Sequence, residues 1–166
     1  MLSDLARRLG AHVTATTRQQ AKMSMLSDLG ADRVFIDDGQ LSASSFRFDK
    51  VLELVGTTTL EDSLNCADKG GVVCMAGMVG GKWSLDTFAP MDSIPNRVFL
   101  TTYSGEPEDF LEMPLQTLVD DVASGVLKIK VGKVFRLDQI VEAHACMERN
   151  DADGKIVVVL DPVAAR

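Results

Sequence analysis

The chain has 166 residues, a length that fits one domain with a sizeable core and needs no disulfide staples. Its formal net charge is −7, which argues against a nucleic-acid partner, because phosphate backbones demand clustered Lys and Arg. No apolar run approaches the ~20 residues of a membrane helix, and MLSDLARRLG has no signal-peptide pattern, so the cytoplasm is the expected compartment.

Leu2, Leu5, Ala6 and Leu9 recur at helical spacing, with Gly10 as a C-cap. HVTATT (12–17) is a short β-branched strand. Gln19 to Leu29 read as a second helix closed by Gly30. Leu9-Gly10-Ala11 and Leu29-Gly30-Ala31 are the same punctuation used twice. Arg33 to Ile36 is the next strand, and Asp37-Asp38-Gly39 turns the chain. Asp49 to Val55 is apolar enough to predict a strand buried on both faces. Leu60 to Ala67 reads as a short helix broken by Gly70-Gly71, and Val72 to Ala76 as a buried strand. Gly77 to Gly81 is a glycine-rich loop, and Pro90 to Pro95 looks irregular.

Arg97 to Tyr103 is β-rich. Leu111, Leu115, Leu118, Val119 and Val122 predict one helix with Pro114 in its early turns, ended by Gly125. Lys133 to Phe135 is a short strand. Asp138 is a candidate N-cap for a helix to about Arg149, and Lys155 to Leu160 is a last buried strand. Strands alternate with helices, which predicts an α/β fold: a Rossmann-like, doubly wound, mostly parallel sheet.

In such sheets ligands sit at the carboxyl ends of the strands. After the first strand stand Thr17, Arg18 and Lys22. A basic residue at this point accommodates the 2′-phosphate of NADP, where an acid would accept from the ribose hydroxyl of NAD. Arg18 offers a planar fork matched to phosphate, and Lys22 a point charge one helical turn on. A solvated helix start with ordinary surface charges is the equal alternative. A cation at a helix N-terminus is mildly unfavourable for the dipole, which tips the balance slightly towards a ligand.

Gly56-Thr57 follows DKVLELV; Gly56 would let backbone approach a bound group closely, but on spacing alone a plain turn with a threonine helix cap is the better reading. Gly77-Met78-Val79-Gly80-Gly81 fails the Walker pattern, with Ala76 at the first glycine position and Trp83 at the Ser/Thr position. A loop that lets a ligand lie against backbone fits it better. Cys66, Cys74 and Cys146 are widely spaced and read as reduced thiols, buried or nearly so. His12 and His144 have no nucleophile or acid at a recognisable spacing. No GxSxG elbow and no HExxH motif occurs.

Together LARRLGAHVTATTRQQAKMSMLSDLGADRVFIDD, DKVLELVGTTTLEDSLNCADKGGVVCMAGMVGG, IPNRVFLTTY and VGKVFRLDQIVEAHACMERNDADGKIVVVL resemble the cofactor domain of medium-chain dehydrogenases/reductases, in their quinone-oxidoreductase-like branch. The resemblance implies NADPH as cofactor and hydride transfer to a quinone or enone-type acceptor. It places Thr17, Arg18 and Lys22 at the 2′-phosphate end and Gly56 and Thr57 near the adenosine and ribose. Gly77 and Met78 fall nearer the nicotinamide, with Leu100, Thr101 and Thr102 approaching the same end. It implies a homodimer through Arg97 to Tyr103.

Relatives are called zinc-binding, yet no metal set is visible here, and no catalytic residue is assigned. The family's GroES-like catalytic domain and the first strand with its GxGxxG-type turn have no counterpart in this chain. It therefore reads as a truncated cofactor domain, 1–166, with HVTATT and DKVLELV deprived of the strand between them. Either these two close on each other or an open edge remains. Alone, the chain is expected to be slow or inactive. The other reading is a non-catalytic remnant that binds a nucleotide or dimerises.

Overall fold

The computed structural model describes residues 2–160. In chain order its elements are α1 (Leu2–Arg8), β1 (Thr14–Thr17), α2 (Met23–Asp28), β2 (Arg33–Ile36), β3 (Phe48–Glu53), α3 (Leu60–Asn65), β4 (Ala67–Met75), α4 (Pro90–Ser93), β5 (Phe99–Thr102), α5 (Pro107–Glu112), α6 (Leu115–Ala123), β6 (Val131–Arg136), α7 (Ile140–Glu148) and β7 (Lys155–Val159). Strands alternate with helices, and β3–β4, β4–β5 and β6–β7 are all parallel pairs. This is the Rossmann-like arrangement.

The strands fall into three sheets: β1-β2, β3-β4-β5 and β6-β7. β1 and β3 do not pair, so of the two outcomes expected for HVTATT and DKVLELV the open edge is the one observed. The expected burial of Asp49 to Val55 on both faces is accordingly wrong. β3 is an edge strand, Leu52 is 43% exposed, and Leu54 and Val55 are exposed as well.

The chain divides into two compact units. One comprises the residues up to Ala15, Ser24–Val34 and the chain from Pro114 onward. Among the described residues its buried hydrophobic side chains are Ala31, Leu127, Ala143 and Cys146. Arg8 pairs with Asp4 and Asp121 and donates to the Val126 carbonyl, tying α1 to the end of α6. Gly30 passes so close to α1 that an added Cβ would lie 3.0 Å from the Asp4 Cα, so this glycine is a packing requirement as well as a helix stop.

The other unit comprises Thr16–Met23 and Phe35–Met113. Leu60 and Leu64 of α3 pack on Ala67 and Val73 of β4 and on Val98, with Val51 and Leu100 alongside. This layer sets the carboxyl ends of β3, β4 and β5 side by side, through Glu53↔Met75 and Met75↔Thr102.

Several boundaries differ from expectation for local reasons. Gly70-Gly71 does not break a helix but lies within β4. A Cβ on Gly71 would stand 2.8 Å from the Asp68 carbonyl and 3.1 Å from that of Phe48, beside a register shift in the ladder. Pro114 separates two helices rather than sitting inside one, because the residue before a proline is pushed out of the helical region, and Met113 has ψ 133°. Gln19 to Leu29 opens with a 3-10 turn at Gln20–Lys22 before α2. Pro90–Ser93 is a short helix. Asp138 is not a cap: it lies in a 3-10 turn, paired with Arg136, and α7 starts at Ile140.

Candidate functional site

Every candidate residue lies in the second unit. The most developed part is where the chain leaves β3 and β4. The loop after β3 turns at Gly56, whose φ is +103°, a region that favours glycine. A Cβ there would also stand 3.0 Å from the Met78 Sδ and 3.2 Å from the Gly77 carbonyl, so the two loops are in direct contact. Leu54 O accepts from the Val79 N–H at 3.2 Å, and Val55 O from the Gly80 N–H at 2.8 Å. Thr57, buried, donates its hydroxyl to the Lys82 carbonyl at 2.7 Å. The glycines are thus demanded first by the approach of one loop to the other. Among the described residues no partner accepts from the Gly77 or Met78 N–H.

Sequence reading missed the residue that organises this junction. Glu53, at the end of β3, is 4% exposed. Its Oε1 accepts from the Val55 N–H at 2.7 Å and the Gly56 N–H at 3.0 Å, and its other oxygen accepts from the Ser63 hydroxyl of α3. Its main-chain carbonyl accepts from the Ala76 N–H at 2.9 Å. The available signal was an acid inside the otherwise apolar run VLELV, three residues before a glycine.

At the end of β1, Thr17 is half-buried and Arg18 exposed. Thr17 Oγ1 accepts from the Gln19 N–H at 3.1 Å, and the Thr17 carbonyl from the Asp37 N–H at 3.0 Å, which fixes the strand's exit while leaving the hydroxyl proton available. Lys22 ends the 3-10 turn, half-buried. On β5, Thr101 and Thr102 are exposed, and Leu100, half-buried, packs against the core.

Cys66 and Cys146 are buried and Cys74 half-buried, all three as free thiols, as their sequence setting predicts. Burial, reinforced by Asp62, pushes the Cys66 thiol up to about 11, which makes it inert as a nucleophile. His12 and His144 are exposed. No group of three or more His, Cys, Asp or Glu among the described residues could hold a metal ion, so these residues do not fit a zinc site. Among the described residues no helix is long and apolar enough to cross a membrane.

The family described as zinc-binding dehydrogenase matches residues 29–158, and the chain belongs to it. None of the curated proteins matches the chain by sequence. Solved structures with the same fold include a quinone oxidoreductase from Coxiella burnetii, 23% identical over 95% of this chain and 48% of that one, with TM-score 0.71. A mycobacterial protein complexed with NADPH is 23% identical over 96% of this chain and 52% of that one, with TM-score 0.76. An NAD-dependent alcohol dehydrogenase is 22% identical over 96% of this chain and 47% of that one, with TM-score 0.76. The chain spans about half the length of each and shares a Rossmann-like fold with that part.

Proposed function

We propose that this chain is the cofactor-binding part of an NADPH-dependent oxidoreductase that reduces a quinone or enone-type acceptor. The observation that carries the reading is the locked pair of loops, Gly56–Thr57 against Gly77–Met78, at the carboxyl ends of β3 and β4, where this fold class binds its ligands. NADPH, when bound, supplies the hydride. In this reading Arg18, Lys22 and the Thr17 hydroxyl hold the 2′-phosphate, Gly56 and Thr57 face the adenosine and ribose, and Gly77, Met78, Leu100, Thr101 and Thr102 line the nicotinamide end. The chain's contribution is binding and orientation, and no side chain here is assigned a proton-transfer role.

The basic strand end favours NADPH over NADH. The acceptor reading draws on the quinone oxidoreductase and on a 2-haloacrylate reductase, 24% identical over 97% of this chain, which shares the fold. The expected setting is the cytoplasm, with β5 pairing across a homodimer through Arg97 to Tyr103. The exposed Phe99 and Tyr103 support that edge as an interface.

The test is the chain's consumption of NADPH with a quinone series, beside cofactor binding followed by the emission of Trp83, the single tryptophan, six residues beyond Gly77. The expected result is binding with slow or no turnover. Rapid turnover with NADH and none with NADPH contradicts the reading.

A further inference from the structure

Among the described residues Glu53 is the one buried Asp, Glu, Lys, Arg or His. Burying a carboxylate is expensive unless hydrogen bonds replace its water. Here three donors do so, and none is a Lys or Arg: the amides of Val55 and Gly56 and the hydroxyl of Ser63. An ionised carboxylate is an acceptor only, which suits three donors converging on it. Both amides belong to the loop that carries Thr57 and presses Gly56 on Met78.

Nothing about a plain β–α turn calls for a buried acid, because backbone bonds close such turns unaided. This turn already has one, from the Thr59 N–H to the Gly56 carbonyl at 3.1 Å. The acid adds a fixed loop shape and ties that shape to α3 through Ser63.

We infer that Glu53 is a positioning residue for the nucleotide cofactor: its carboxylate holds the Val55 and Gly56 amides and thereby sets the loop that, in the cofactor reading on which this inference rests, presents Thr57, Gly77 and Met78 to the ligand. The charge itself is not what the loop needs, but two acceptor sites on one rigidly placed oxygen. Gln keeps that oxygen, and its amide can donate to Ser63, whose hydroxyl then turns round. Ala removes every side-chain acceptor and keeps the main-chain carbonyl that accepts from the Ala76 N–H.

The experiment compares the wild type, Glu53→Ala, Glu53→Gln and Ser63→Ala by amide hydrogen exchange and by NADPH titration. In Glu53→Ala, exchange at Val55 and Gly56 should speed up about tenfold or more while the Val73 amide in the core stays protected, and NADPH affinity should fall about tenfold, as expected for polar groups left without partners. Glu53→Gln should restore both, which a purely electrostatic role would not allow. Unchanged exchange at these two amides in folded Glu53→Ala overturns the inference, as does unchanged affinity once they are released. If Glu53→Ala does not fold, Ser63→Ala decides: faster exchange and weaker binding support the inference, and wild-type values for both overturn it. If the wild type itself takes up no NADPH, the cofactor reading fails, and the exchange measurements alone decide whether Glu53 sets the loop.

Discussion

Gly77 runs so close to Leu54 that a Cβ in place of its hydrogen would lie 2.5 Å from the Leu54 carbonyl oxygen and 2.9 Å from the Leu54 Cα. Its φ lies outside the left-handed region, so the constraint is steric contact and not backbone strain. Gly77→Ala should therefore push the loop after β4 away from the loop after β3. The expected cost is about 1–3 kcal/mol, as for overpacking elsewhere, with NADPH binding weakened in parallel. Thermal unfolding and cofactor titration of the variant check both.

Leu64 is fully buried between α3 and β4 and packs with Leu60 and Val73. Leu64→Ala should destabilise the chain by about 2–5 kcal/mol through lost burial and a residual cavity. Denaturant unfolding measures this, and a loss under about 1 kcal/mol would show a site that collapses freely.

The Cys66 thiol gives stability a dependence on alkaline pH. Its value rises from the ordinary 9.0 to about 11 in the folded chain, because burial and the Asp62 carboxylate oppose the thiolate. Below 9.0 both states keep the proton and the group contributes no slope. Between 9.0 and about 11 the unfolded chain releases the proton and the folded chain does not, so stability should fall as pH rises through this window. Cys66→Ala should remove that part of the slope in urea midpoints taken across the range. In the folded chain at neutral pH, Cys66 and Cys146 should also react with thiol reagents far more slowly than Cys74.

Phe99 is 61% exposed on β5, the outer strand of its sheet. Phe99→Lys should convert dimers to monomers, since a lysine on an edge strand opposes pairing with another chain. Sedimentation at micromolar concentration tests this, and a wild type already monomeric there contradicts the proposed interface.

Punctuation by glycine was legible in the sequence. Gly10 and Gly30 both end helices with positive φ, and Arg33–Ile36 is a strand over the span that composition indicated. What escaped was set by contacts distant along the chain. Gly70-Gly71 carries a helix-stop signal, but the approach of Gly71 to Phe48 draws it into a strand. The apolar run 49–55 says "buried", yet burial depends on a neighbouring strand, and β3 has one on a single side. Pro114 is visible in the sequence as an early-turn proline, but its grip on Met113 depends on backbone geometry that parts α5 from α6. For the candidate site, the residue types at the strand ends were readable, whereas the bond network of Glu53 was not. An acid in an apolar run signals something buried, and only the fold reveals which amides it serves.

In the proposed function the end of β1 holds the 2′-phosphate of NADPH. Calorimetric titration of the folded chain with NADPH and with NADH, repeated on Arg18→Glu, tests it most directly. NADPH should bind more tightly than NADH to the wild type, and that preference should be lost in Arg18→Glu, where a carboxylate would face the phosphate. Equal affinity for the two cofactors, or a preference for NADPH that survives Arg18→Glu, would contradict it.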